Sequence, residues 1–446
     1  MWEPFAFLAY IGAMTVAVHR MQSARLQMWR ETVAGCGLHL EEVSSALAFR
    51  VNLRARGGLL EVRIRATGRS GASLRITVVI PGPPGFAGMR IRREHYRPAG
   101  AREIEVGEER FDGSFFVEGP MRLAFVLLDA EARSLLLRAN DLGKLEIFHG
   151  ELQVDSSDEH LSKLLPLLLD LGRRLTRDVD AAQCLADNAA GDPAPGVRLK
   201  NLLLLVREHP GAPGTVETLR AACTDPSSHV RLCAATALGA EGLPLLRELT
   251  QSTDDDISAQ ALSVVGGELP FEDTRAILDH ALRRRRLQVA HACLEVLGRR
   301  GGEPEIAALV KVMALEKGEL AVAAAQALGE AGNPDAEPPL IQALCSERAD
   351  LRVAAANALG RAGSVAAVLP LKDAAEHFPR DSDLQRTTRQ AIARIQTRLP
   401  GASPGQLSLA GDEQGQLSLA ESEVGQLSLA PEPAGGQSPD AQSPAS

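Results

Sequence analysis

Val230-Arg-Leu-Cys-Ala-Ala-Thr-Ala-Leu-Gly239, Leu320-Ala-Val-Ala-Ala-Ala-Gln-Ala-Leu-Gly329 and Leu351-Arg-Val-Ala-Ala-Ala-Asn-Ala-Leu-Gly360 are copies of one decapeptide. Looser copies at Ile257–Gly266 and Val289–Gly298 lie between them, and degenerate ones at Val197–Val206 and Leu384–Ala393 flank the set. The spacing is mostly 31 to 33 residues. A unit of that length cannot bury its apolar face alone, so recurrence means stacking of like units.

Within a copy, Leu351, Ala354, Ala355, Ala358 and Leu359 make an apolar stripe at helical spacing. Gly360 then reads as the helix stop. A second apolar helix follows in each unit, at roughly 241–250, 272–282, 304–313, 338–344 and 365–376, sometimes opened by a proline. Asp256, Asp350 and Asp383 stand before first helices and read as N-caps. The small residues of the first helices fit close backbone approach between stacked hairpins. The expected fold class is multidomain: an α-helical solenoid (α-α superhelix) at 197–399, a small α+β domain before it and a disordered tail after it.

The repeats resemble the HEAT-repeat family, in particular the short bacterial type named after phycobilisome lyases. The match is best at Val230-Arg231 through Gly239 and Leu351-Arg352 through Gly360. The resemblance implies a helical-hairpin array and, for most members, a binding scaffold; a few members are enzymes or enzyme partners, and fold alone does not choose. A HEAT-type enzyme, deoxyhypusine hydroxylase, binds iron through paired His-Glu motifs. This chain has no His-Glu dipeptide.

Composition narrows the classes. The formal charge is −9 and aromatics are 3%, which argues against nucleic acid, single strands above all. Six cysteines are scattered without a Cys-x-x-Cys, and Cys293 and His291, two apart on a helix, point to different faces. No cofactor, metal or catalytic residue is therefore assigned.

Residues 1–36 read as an apolar segment and a juxtamembrane helix. Pro4 to Val18 carries no charge, and His19, Arg20, Arg25 and Arg30 follow it. Residues 2–18 are expected to touch or span a membrane, which by the positive-inside rule leaves the rest in the cytoplasm. The competing reading is a packed amphipathic helix.

Residues 37–178 follow another grammar. Ala48–Arg56, Leu59–Ala66 and Leu74–Ile80 alternate apolar and polar residues, as antiparallel strands do. Gly57-Gly58 and Gly68–Gly71 supply turns, 121–140 reads as a helix, 144–154 as a hairpin around Gly150, and Ser156-x-x-Glu159 as a capping box. The arginines of Arg54/Arg56, Arg63/Arg65 and Arg90/Arg92/Arg93 read as a solvated sheet face, with an anionic surface as the alternative. Residues 179–196 read as a linker.

Residues 400–446 contain no lysine, arginine or aromatic, six acids and many Gly, Ser, Pro and Gln, the composition of a disordered chain. Gly-Gln-Leu-Ser-Leu-Ala occurs there at 405, 415 and 425. Gln406-Leu-Ser-Leu409 resembles the start of a bacterial sliding-clamp motif, but Ala410 stands where that motif needs its aromatic anchor.

The expected function is a non-catalytic adaptor that binds a protein partner on its repeat surface. The candidate contacts are Arg231 and Arg352, at matched repeat positions, with Arg283, Arg284, Arg285, Arg286, Arg299 and Arg300 as a basic rim. The competing role for the matched arginines is pairing with Asp225, Asp254 or Asp350. Alternative functions are a HEAT-like chromophore lyase or lyase partner, and recruitment through the tail repeats.

Overall fold

The computed structural model describes residues 3–46, 50–67, 73–94, 100, 102–178, 180–398, 407–409 and 417–419. The chain divides into two compact units, Met1–Val265 and Gly266–Ser446.

The first unit begins with helix α1 (Glu3–Gly35). Its uncharged run, residues 4–18, is about 22 Å long at the rise of an α-helix, short of the ~30 Å of a bilayer core. Among the described residues no helix is long and apolar enough to cross a membrane. The membrane span expected at residues 2–18 is corrected accordingly. The far half of α1 belongs to the domain that follows: Trp29 and Val33 are buried, Trp29 Nε1 donates to Asp158 at 3.0 Å, and Arg25 pairs with the same carboxylate at 2.8 Å.

That domain is an eight-stranded antiparallel sheet of β1 (His39–Ala46), β2 (Arg50–Gly57), β3 (Leu60–Thr67), β4 (Ser73–Val79), β5 (Arg90–Arg93), β6 (Phe115–Glu118), β7 (Lys144–Phe148) and β8 (Glu151–Ser157). Its order is β1-β2-β3-β4-β8-β7-β5-β6. Leu53, Val62, Ile64, Ile76, Val154 and Ile147 lie at alternate positions on a buried face. Helices α2 (Glu109–Asp112), α3 (Met121–Leu127) and α4 (Ala130–Leu142) are interleaved with strands β5 to β8 and α5 (Leu161–Leu175) follows them, and α1, α4 and α5 contact the sheet.

Three local expectations change. The helix expected at 121–140 is two, because Asp129 interrupts it and caps α4 by accepting from the Ala132 amide at 2.9 Å. The capping box at Ser156 does not form, since its hydroxyl donates to the Leu142 carbonyl at 2.6 Å instead. The linker contains helix α6 (Ala181–Gly191). Leu185 and Ala186 of α6, with Leu204 and Leu205 of α7 (Pro195–Glu208), join the sheet's own hydrophobic core. The unit continues through α8 (Pro213–Ala222), α9 (Ser228–Leu238), α10 (Leu243–Leu249) and α11 (Asp255–Val265).

The second unit alternates first and second helices: α12 (Phe271–Arg284), α13 (Leu287–Arg300), α14 (Glu303–Leu315), α15 (Glu319–Ala331), α16 (Glu337–Ala343), α17 (Ala349–Ala362), α18 (Val368–His377) and α19 (Ser382–Thr397). First helices pack in series, α13 on α15, α15 on α17 and α17 on α19. The glycines read as helix stops do a different job here. Gly298, Gly329 and Gly360 sit inside their helices, where a Cβ would come within 2.8 Å of the Ala327 carbonyl oxygen, 2.6 Å of Ala358 Cα and 2.9 Å of Ala391 Cα. They are points where successive first helices approach closely. The stops lie three residues on, at Gly301 and Gly332, both left-handed.

The N-caps also shift. Asp254 accepts from the Asp256 and Ile257 amides at 3.0 and 3.3 Å, and Asp381 caps α19 through Leu384 at 3.0 Å. Asp256, Asp350 and Asp383 fall in the first turn, where they still oppose the helix dipole. Beyond α19, β9 (Leu407–Leu409) pairs antiparallel with β10 (Leu417–Leu419). The remainder of the tail expected to be disordered lies outside the described residues.

Candidate functional site

The matched arginines are built into the turns. Arg198 donates to the Asp192 and Pro193 carbonyls at 2.8 and 3.3 Å and grips both oxygens of Asp225 at 2.7 and 2.8 Å. Arg231, one repeat on, donates to the Asp225 and Pro226 carbonyls at 2.8 and 3.1 Å. Arg352 donates to the Ser346 and Glu347 carbonyls at 2.9 and 3.0 Å, reaches Asp381 at 2.6 Å, and lies 3.9 Å over the Phe378 ring. It is 6% exposed. Each arginine thus closes its own turn, and Arg198 and Arg352 also hold an aspartate of the next one, Asp225, which accepts from the Ser227 amide, and Asp381, which caps α19. Burial works to raise the Asp225 carboxyl, but the Arg198 hydrogen bonds, the Ser227 amide and the charges of Arg198 and Arg231 leave it below the usual aspartate range.

Sequence reasoning missed Arg198 and the related Arg133. Arg133 is 0% exposed and reaches Glu108 at 2.5 Å, the Leu128 carbonyl at 2.8 Å and both oxygens of buried Asp192 at 2.9 and 3.0 Å. The available signal was a spacing of six from turn residue to arginine, Asp192 to Arg198, Asp225 to Arg231 and Ser346 to Arg352.

The expected basic rim divides in two. Arg283, Arg284 and Arg285 are exposed at the end of α12, Arg285 in the left-handed conformation that ends the helix, and Arg299 is exposed on α13. Arg286 is partly buried in the turn that follows α12. Arg300 turns inward, donating to the Gly266 carbonyl at 2.6 Å and to that of Leu269. Several sheet arginines meet carboxylates: Arg54 reaches Glu61 across strands at 2.8 Å, Arg63 reaches Glu61 within β3 at 2.6 Å, and Arg75 holds Asp155 across strands through two bonds of 2.6 and 2.7 Å.

One open apolar surface is a groove between α12 and α14, a cavity of about 310 Å³. Phe271, Leu278, Leu282, Val312 and Leu315 give it an apolar lining, and Arg275, Asp279, Lys311 and Glu316 edge it. Leu315 is 69% exposed. Leu278 and Leu282 stand four apart on α12, and Ala308, Lys311 and Leu315 three and four apart on α14, so each helix presents one stripe to the groove. Leu282 adjoins the exposed arginines, which places a basic group at one end. Among the described residues no three His, Cys, Asp or Glu side chains are grouped to hold a metal ion.

These features define a helical-hairpin repeat protein with an apolar groove on its second helices. Residues 306–393 match the family model of HEAT repeats, and this segment is HEAT-repeat sequence. No curated protein matches the chain. Among solved structures, the complex of CpcE and CpcF of phycocyanin lyase from Nostoc sp. PCC7120 is similar at 20% identity and a TM-score of 0.30, over 49% of this chain and 96% of that one. Human deoxyhypusine hydroxylase in complex with glycerol is similar at 18% identity and a TM-score of 0.22, over 48% and 96%. An engineered protein is similar at 24% identity and a TM-score of 0.21, over 49% and 89%.

Proposed function

We propose that the chain is a non-catalytic scaffold of the HEAT type, in which residues 197–399 act as a solenoid and a partner protein binds along the second helices. The observation that carries this reading is the α12–α14 groove, with Leu315 largely uncovered and three exposed arginines at its end. An apolar centre with a charged margin is the anatomy of a protein-binding patch, and a helix or extended segment with two or three apolar anchors fits such a groove. The reading also puts the protein in the cytoplasm, in keeping with six free cysteines. The buried arginines serve the stack, and the exposed ones remain for a partner.

The test is affinity capture with the full chain, the chain carrying Leu282→Glu and Leu315→Glu, and a control carrying Leu369→Glu on the exposed part of α18. The expected result is one discrete protein held by the wild type and the control and lost with the groove variant. Equal capture by all three overturns the groove as the binding surface.

A further inference from the structure

The α12–α14 face carries opposite charge at its two ends. In the first turns of the two helices Glu272, Asp273 and Glu303 are exposed acids, and at the far end of α12 Arg283, Arg284 and Arg285 are exposed bases. At the rise of an α-helix these ends of α12 lie about 17 Å apart, with the apolar groove between them. A face that is negative at one end and positive at the other repels a copy of itself laid parallel and attracts one laid antiparallel.

The match extends to single positions. A two-fold axis crossing α12 (Phe271–Arg284) and α14 (Glu303–Leu315) at their midpoints turns the face onto its twin with the helices antiparallel. Residues equally far on either side of a midpoint then meet. On α12 that sets Glu272 against Arg283, brings Arg275 beside Asp279, and brings Phe271 beside Leu282. Arg275 otherwise has only a loose pair with Glu272 of its own helix, at 3.7 Å. On α14 Leu315, 69% exposed in the single chain, comes to lie over Pro304, and the aliphatic stem of Lys311 lies over Ala307, while Glu303 falls by Glu316 and Lys317. The patch is two helices wide and about 20 Å long, roughly 400 Å² on each copy. That is smaller than the ~800 Å² per partner of a standard interface and fits a reversible contact.

Resting on the groove being a binding surface, we infer that the protein seated on it is a second copy of this chain, in a weak antiparallel two-fold dimer steered by its acidic and basic ends.

The experiment is sedimentation velocity of the full chain from about 1 to 100 µM, for wild type and two surface variants. Glu272→Arg with Asp273→Arg makes both ends of the face basic, and Arg283→Glu with Arg284→Glu makes both ends acidic. The wild type is expected to pass from monomer to dimer, and each variant alone to need at least about tenfold more protein to do so. An equimolar mixture of the two variants is expected to regain the wild-type behaviour, because each basic end then meets an acidic one. Unaltered dimerisation of either variant, or a mixture no better than its components, overturns the inference. A wild type that stays monomeric throughout also overturns it. If protein capture is then still lost with Leu282→Glu and Leu315→Glu, the groove remains the binding surface with a different occupant; if capture is insensitive as well, the binding reading fails with it.

Discussion

Arg133 shows what a single side chain holds in this molecule. Its guanidinium is fully buried and faces Asp192, whose side chain is 1% exposed, and half-buried Glu108. Removing one partner of a buried pair leaves the other charge uncompensated, which typically costs 3–5 kcal/mol. Arg133→Ala is therefore expected to lower unfolding stability by about that amount in urea titration, whereas Arg56→Ala, on the exposed sheet face, should change it by less than about 1 kcal/mol. Asp225 carries a pH signature. Its folded carboxyl lies below the ordinary value of about 3.9, so the deprotonated form is favoured by folding; that contribution is present above about pH 4 and disappears as pH falls through the lower folded value. Asp225→Asn is expected to be less stable at pH 7 and to show a shallower loss than wild type below pH 4.

At the scale of elements, small residues set how closely the hairpins stack. Gly329→Ala would gain about 1 kcal/mol of helix propensity, but the new Cβ would sit 2.6 Å from Ala358 Cα. Backbone atoms cannot rotate away, and overpacking of that kind typically costs 1–3 kcal/mol. Gly329→Val, with little propensity gain, is expected to cost about 2 kcal/mol or more by thermal or denaturant unfolding, whereas Gly267→Ala, with nothing near its Cβ, should be close to neutral. These glycines also show what was legible in the sequence. The period and the apolar stripes located the helices, because both follow from local spacing. The role of Gly298, Gly329 and Gly360 depends on a neighbour about thirty residues away, and periodicity carries no record of that neighbour. Strands β2, β3 and β4 were legible through strict alternation. β1, His39-Leu-Glu-Glu-Val-Ser-Ser-Ala46, was not, since its residues hardly alternate and its place comes from pairing with β2. The groove escaped notice because leucines at helical spacing read equally well as core.

At the scale of the whole molecule, burial sorts the cysteines. Cys293 is buried and its thiol is pushed up to about 12, and burial pushes Cys233 up to about 11, whereas Cys345 is exposed. Alkylation of the native protein at pH 8 is expected to reach Cys345 first and Cys293 last, with Cys293 labelled only on unfolding; early labelling of Cys293 would contradict the packing of α13. The function proposed for the molecule stands on one surface, the α12–α14 groove, and it can be questioned there directly. The decisive measurement is photo-crosslinking inside cells from position 315 of the full chain, with position 369 as the control. A discrete protein adduct from 315 and none from 369 is the predicted result. No adduct from 315, or the same adducts from both positions, would contradict the groove as the site where this scaffold meets its partner.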